Sequence, residues 1–78
     1  MKVILNAARL STKEEAHEYI SKVFDFPDYY GKNLDALADC LSEEDDMTIV
    51  ICNVNEAGDY LQKLIPVFRD HAILELKD

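Results

Sequence analysis

The chain predicts an α/β fold, a small three-stranded parallel sheet packed with three to four helices. Three short runs of β-branched and aliphatic residues, Lys2 to Leu5, Met47 to Cys52 and Ala72 to Leu76, are separated by segments whose apolar residues recur at helical spacing. Each intervening segment is longer than the roughly one dozen residues a crossover requires, so successive strands run parallel. Periodicity does not set the strand order; the expectation is that the first strand lies in the centre.

The elements follow in order. Val3, Ile4 and Leu5 form an apolar run of the kind buried in a parallel sheet. Ser11 or Thr12 offers an N-cap, with Glu14 or Glu15 placed to complete a capping box. Ala16, Tyr19, Ile20, Val23 and Phe24 then mark one face of a helix that stops before Pro27, because the residue ahead of a proline avoids helical torsions. His17, among charged neighbours on this helix, and His71, near the end of the chain, are expected at the surface. The connection from Asp25 to Lys32 holds Phe26, Tyr29 and Tyr30, so some rings pack inward and an exposed one is a contact residue.

Asn33 is a strong N-cap for a second helix running from Leu34 to about Glu43, with Leu34, Leu37 and Leu41 as its buried stripe. The run Glu43 to Asp46 opposes the dipole at the far end and is expected to fray or turn. Met47 to Cys52 is the clearest strand. Asn55 is expected to cap a third helical segment with apolar positions Ala57, Tyr60, Leu61, Leu64, Ile65 and Phe68, kinked or split at Pro66.

Seventy-eight residues make one domain, residues 1–78, with a small core: a chain of this size buries only about 60% of its unfolded surface. The net charge of −8 is unevenly distributed. Residues 1–33 carry five basic and five acidic side chains, and residues 60–78 carry three of each. The whole imbalance lies in residues 34–59, where eight acids face no Lys or Arg. Such a field repels nucleic acid and anionic membrane and attracts a basic protein. It also keeps a small protein soluble. Cys40 and Cys52 are too few for a disulfide framework and lack metal-site spacing, so both read as small apolar residues of a reducing compartment. With no signal-peptide core after Lys2 and no stretch of membrane-spanning length, the expected location is cytoplasmic.

The chemistry concentrates between Pro27 and Leu41. Asp35 and Asp39 lie four apart on the side of the second helix away from its leucines, an arrangement that costs an isolated helix about 0.2–0.5 kcal/mol. Local stability does not account for the pair, although Asp35 alone would complement the helix dipole and Asp39 alone would add solubility. No serine sits in a nucleophile elbow, neither histidine has a catalytic motif and the two glycines are isolated, so no catalytic residue and no cofactor are expected. A metal-dependent enzyme using Asp35 and Asp39, with Glu43 next along the helix, is the weaker alternative, since the segment holds no cation to retain a phosphate.

The run Tyr29 Tyr30 Gly31 Lys32 Asn33 Leu34 Asp35 Ala36 Leu37, followed by Asp39 Cys40 Leu41, resembles the signature of the barstar family, small intracellular inhibitors of secreted microbial ribonucleases. Val67 Phe68 Arg69 Asp70 extends the likeness towards the end of the chain. The resemblance implies the same small parallel sheet with about four helices, and a partner that is a barnase-like or related guanyl-type ribonuclease, bound by a monomer. It further implies that Asp39 enters the enzyme's phosphate site, Asp35 pairs with a neighbouring arginine and Tyr29 packs on the catalytic histidine. Gly31 and Asn33 would contact the enzyme through loop polar groups and Asp70 would add an acidic contact. Tyr30, Leu34, Ala38 and Ser42 complete the implied face. Ala38 stands where the best-known member has a tryptophan, and Ser42 to Asp45 replaces a segment that holds another, which exchanges contact area for charge. An acidic module for some other basic protein is the alternative within the same fold.

Overall fold

The computed structural model describes residues Met1–Asp78. Strands β1 (Lys2–Asn6), β2 (Thr48–Cys52) and β3 (Ile73–Leu76) form one parallel sheet in the order β1-β2-β3, accompanied by helices α1 (Lys13–Val23), α2 (Leu34–Leu41) and α3 (Leu61–His71) and two short 3₁₀ turns, Ala7–Arg9 and Val54–Glu56. The expected sheet is present, but its centre is β2, not the first strand. The reason lies in the side chains. In β2 the consecutive residues Ile49, Val50 and Ile51 are all buried, whereas β1 alternates and leaves Ile4 61% exposed. A strand flanked by a neighbour at each edge is the one that holds a continuous apolar run, and β2 has the longer one.

The helices cover a single face of the sheet. Val3, Leu5, Ile49 and Ile51 join Leu10, Ala16, Ile20, Leu37, Leu41, Leu61, Leu64 and Phe68 in one core cluster. On the other face Ile4, Val50 and Glu75 pair across the sheet, and Val50 is covered by its neighbours in the strands. Since β2 and β3 start at the same edge, and α2 and α3 end just before them, both helices run against the strands. The first residue of α1, the first turn of α2 and the start of α3 line a common cleft through Lys13, Asn33, Asp35 and Lys63. All three helices therefore begin at the same edge. Residues 24–33 have to travel back along α1, about 1.5 Å for each of its residues, before α2 can start.

Local signals set the ends of the helices. Thr12 caps α1, its hydroxyl accepting from the Glu15 amide at 3.2 Å, while the Glu15 carboxylate turns to Arg9. Helix α2 ends at Leu41, two residues earlier than expected, and the acids after it form the turn into β2 with Asp46 at φ 52°. Asn55 caps nothing; it lies within the 3₁₀ turn, and α3 starts only at Leu61. Nor does Pro66 split α3, which is continuous through it. The amide that proline lacks would have bonded the carbonyl of Gln62, an exposed residue in the first turn where water can serve instead.

The largest departure from expectation is His17. It is fully buried, with Nδ1 at 2.6 Å from the Tyr30 hydroxyl and Nε2 at 2.6 Å from the Tyr60 hydroxyl. Burial first, and Lys13 second, hold its pKa below 6.5. In acid an unfolded chain takes up a proton that the folded His17 refuses, so stability should be level above about pH 7 and decline as pH falls through 6.5 towards the lowered value. Urea midpoints between pH 8 and pH 5 measure this, and a His17→Gln variant should lose that part of the slope. Packing at Gly58 is equally exacting, because a methyl group there would meet the Ser11 carbonyl oxygen at 2.8 Å. Gly58→Ala should cost about 1–3 kcal/mol in equilibrium unfolding.

Candidate partner-binding face

Helix α2 and the loop ahead of it form the face. Asn33 closes the loop onto the helix: its Oδ1 accepts from the Ala36 amide at 2.8 Å and its Nδ2 donates to the Gly31 carbonyl at 3.2 Å. Leu37 and Leu41 are fully buried and Leu34 is half-buried, so the stripe locks α2 on the core and turns Asp35 and Asp39 into solvent. Ala38 is half-buried between them, and Ser42 is exposed, its hydroxyl donating to the Asp39 carbonyl at 2.7 Å.

The two adjacent tyrosines diverge. Tyr29 is 88% exposed, whereas Tyr30 is 6% exposed, its ring 4.9 Å from that of Phe26. Tyr30, grouped with the contact residues from the sequence, thus presents little surface; the loop has to bury rings against α1 as it passes, and alternate residues point opposite ways. The Tyr30 amide donates to the Pro27 carbonyl at 2.9 Å, which forms the turn that carries Tyr29 outward. Lys32, at φ 53°, ties the far side of the loop to Glu18 of α1 at 2.7 Å. That hydrogen bond, and then the charge of Lys32, lower the pKa of Glu18.

Tyr29, Asp39, Glu43 and Glu44 line one open cleft of about 350 Å³ together with Phe24 and Phe26. Glu43 and Glu44 belong with Tyr29 although no periodicity joins them; only the folded loop does. Asp35 lines a different cleft, about 360 Å³, where all three helices begin, alongside Lys13, Tyr60 and Lys63. The two lysines lie beyond ion-pair distance, and the two ion pairs of the chain, Arg9 with Glu15 and Lys32 with Glu18, involve no acid of residues 34–59. Of the pair Asp35 and Asp39, only Asp35 shares its cleft with cations. Asp70, exposed in the last turn of α3, lines neither cleft.

Ordinary catalytic chemistry finds little here. Burial, then Glu43 and Asp39, push the Cys40 thiol up in pKa, away from a reactive thiolate. Asp35 and Asp39 lie on α2 and Glu43 in the turn after it, and no three His, Cys, Asp or Glu side chains gather to hold a metal ion. No helix is long and apolar enough to cross a membrane. The face offers fixed negative charge beside an exposed aromatic ring.

A family model described as Barstar (barnase inhibitor) matches residues 1–75. The chain belongs to the barstar family. A curated relative in Bacillus subtilis (strain 168), named "Putative ribonuclease inhibitor YrdF", is 37% identical over 83 aligned positions that cover 99% of this chain and 90% of the relative. The family is one of inhibitors, and the barstar-family fold accommodates the departures at Ala38 and at residues 42–45 without disturbing the leucine stripe. Because Asn33 both caps α2 and holds Gly31, Asn33→Ala should cost about 2 kcal/mol, at the upper end for a helix cap, measured by urea denaturation.

Proposed function

We propose that this chain inhibits a secreted microbial ribonuclease, barnase-like or of the related guanyl-specific type, by inserting α2 and the Tyr29 loop into the enzyme's cationic active site. The observation that carries the reading is the pairing of Asp39, exposed and without a cationic partner, with the 88% exposed Tyr29 across one cleft. A ribonuclease cleft is built to hold phosphodiester groups, so a carboxylate on a rigid helix occupies a phosphate position and the chain acts as a substrate decoy. Asp39 takes the phosphate site. Asp35, already close to Lys13 and Lys63, pairs with a peripheral arginine, and Tyr29 stacks on the catalytic histidine. Gly31, Asn33, Leu34, Ala38 and Ser42 fill the contact between them, and Asp70 lies at its margin. On this reading the chain is a cytoplasmic monomer, has no catalytic activity of its own and leaves nucleic acid and membranes alone.

Family membership supports an inhibitor, and the name of the Bacillus subtilis relative points to a ribonuclease as the target. The loss of large aromatics from the face, at Ala38 and in the acidic run after Ser42, supports a target held more by charge than by apolar anchors. A basic protein other than a ribonuclease is the second reading, favoured by the same substitution of charge for area.

Inhibition of a panel of microbial ribonucleases decides between them. Asp39→Ala should weaken inhibition at least about 30-fold, the loss expected of a dominant interface contact, of which this family's barnase complex is itself an example. Asp35→Ala should cost less, because Lys13 and Lys63 already share its cleft, and Tyr29→Ala should cost about tenfold or more. Glu44→Gln should slow association at low salt and lose its effect near physiological ionic strength, where screening acts within about 8 Å. If no ribonuclease is inhibited at micromolar protein, the ribonuclease reading is wrong.

A further inference from the structure

We propose that the buried hydrogen-bond chain Tyr30–His17–Tyr60 is the positioning device of the partner-binding loop: it fixes Tyr30, and through Tyr30 the direction in which Tyr29 leaves the protein. The inference rests on the reading of Tyr29 as a contact residue.

Tyr29 is too exposed to be held by its own packing, so its direction is set by its neighbours in the chain. Tyr30 is the neighbour inside the protein, and its hydroxyl has His17 Nδ1 as its partner at 2.6 Å. A hydroxyl enclosed in this way and serving only as acceptor would leave its own proton unsatisfied, so Tyr30 donates to Nδ1. The ring proton then resides on Nε2 and is donated to the hydroxyl of Tyr60, a half-buried residue. The imidazole cannot follow a shifting Tyr30, because its other nitrogen is tied to the segment that starts α3. One histidine on α1 thereby fastens the loop to two other parts of the structure. An aliphatic side chain would fill the same space without the cost of burying a polar ring, so filling space does not account for His17.

The groups that face this chain come from every surrounding element. They are Lys13 and Glu14 on α1, Cys40 on α2 beside Tyr30, and Asp35 and Lys63 across the cleft that Tyr60 lines. Burial holds His17 in the neutral form the chain requires, and a proton added to Nδ1 would turn Tyr30 into an acceptor and orphan its hydroxyl proton.

The test is a double-mutant cycle between Tyr60→Phe and Tyr29→Ala, with dissociation rates measured on a ribonuclease that the wild type inhibits. Tyr60→Phe should speed dissociation about tenfold in the wild-type background, the effect of one hydrogen bond, and have almost no effect once Tyr29 is absent. Tyr30→Phe should behave alike. Equal penalties in both backgrounds would make Tyr60 a direct contact or a general stabiliser, and would overturn the proposal. Amide exchange in the free protein gives an answer that needs no partner. In Tyr60→Phe the Tyr30 amide should exchange about tenfold faster while the β2 amides keep their rates. An unchanged Tyr30 amide, or a uniform rise, rejects the device even where a ribonuclease is bound; a failure to bind any ribonuclease with the exchange result as expected rejects only the target.

Discussion

Because the sheet is covered on one face only, three helices share a single apolar layer, and the rest of the molecule adjusts to that. Parallel sheets are usually enclosed on both sides. Here Val3, Leu5, Ile49 and Ile51 take the whole helical layer on one side, while Ile4 and Ile73 remain largely exposed on the other. Three helices lying side by side with a common direction need a long return between the first two. Residues 24–33 make that return, and they do so against α1, which is why Phe24, Phe26 and Tyr30 go inward while Tyr29 is left outside.

The same layer decides which charges matter. In the linear sequence the cation nearest to both is Lys32, three residues from Asp35 and seven from Asp39, and the fold ties it to Glu18 instead. Folding brings Lys13 and Lys63 to the cleft of Asp35, whereas the cleft of Asp39 gathers aromatic rings and three more acids, Asp25, Glu43 and Glu44, and no cation. The two carboxylates are both exposed on α2 but have different surroundings, and a cationic partner gains more from the one whose cleft holds no cation.

Much of this was legible in advance where a signal was local. The helical phase of Leu34, Leu37 and Leu41, the caps at Thr12 and Asn33 and the β-branched run in β2 each follow from neighbours in the chain, and each element formed. The barstar signature between Tyr29 and Leu41 carried the family. What escaped was set by contacts distant in sequence. His17 looked like surface because the residues beside it on α1 are charged, and its partners lie 13 and 43 residues away. The order of the strands was missed because β1 and β2 both begin as apolar runs, and only the burial of Val50 against the exposure of Ile4 separates them. The face of Glu43 and Glu44 was hidden because it exists only where the aromatic loop folds over the end of α2.

The common direction of the three helices gives the molecule a polarity of its own. Each helix carries partial positive charge where it begins and partial negative charge where it ends. The run Glu43 to Asp46 adds to the negative end of α2, while Lys22 and Arg69 offset the ends of α1 and α3, so the polarity is strongest along α2. A molecule built this way is a permanent dipole as well as a polyanion. In the field of a cationic surface it experiences a torque before it experiences contact, and it arrives already turned with its acidic end foremost.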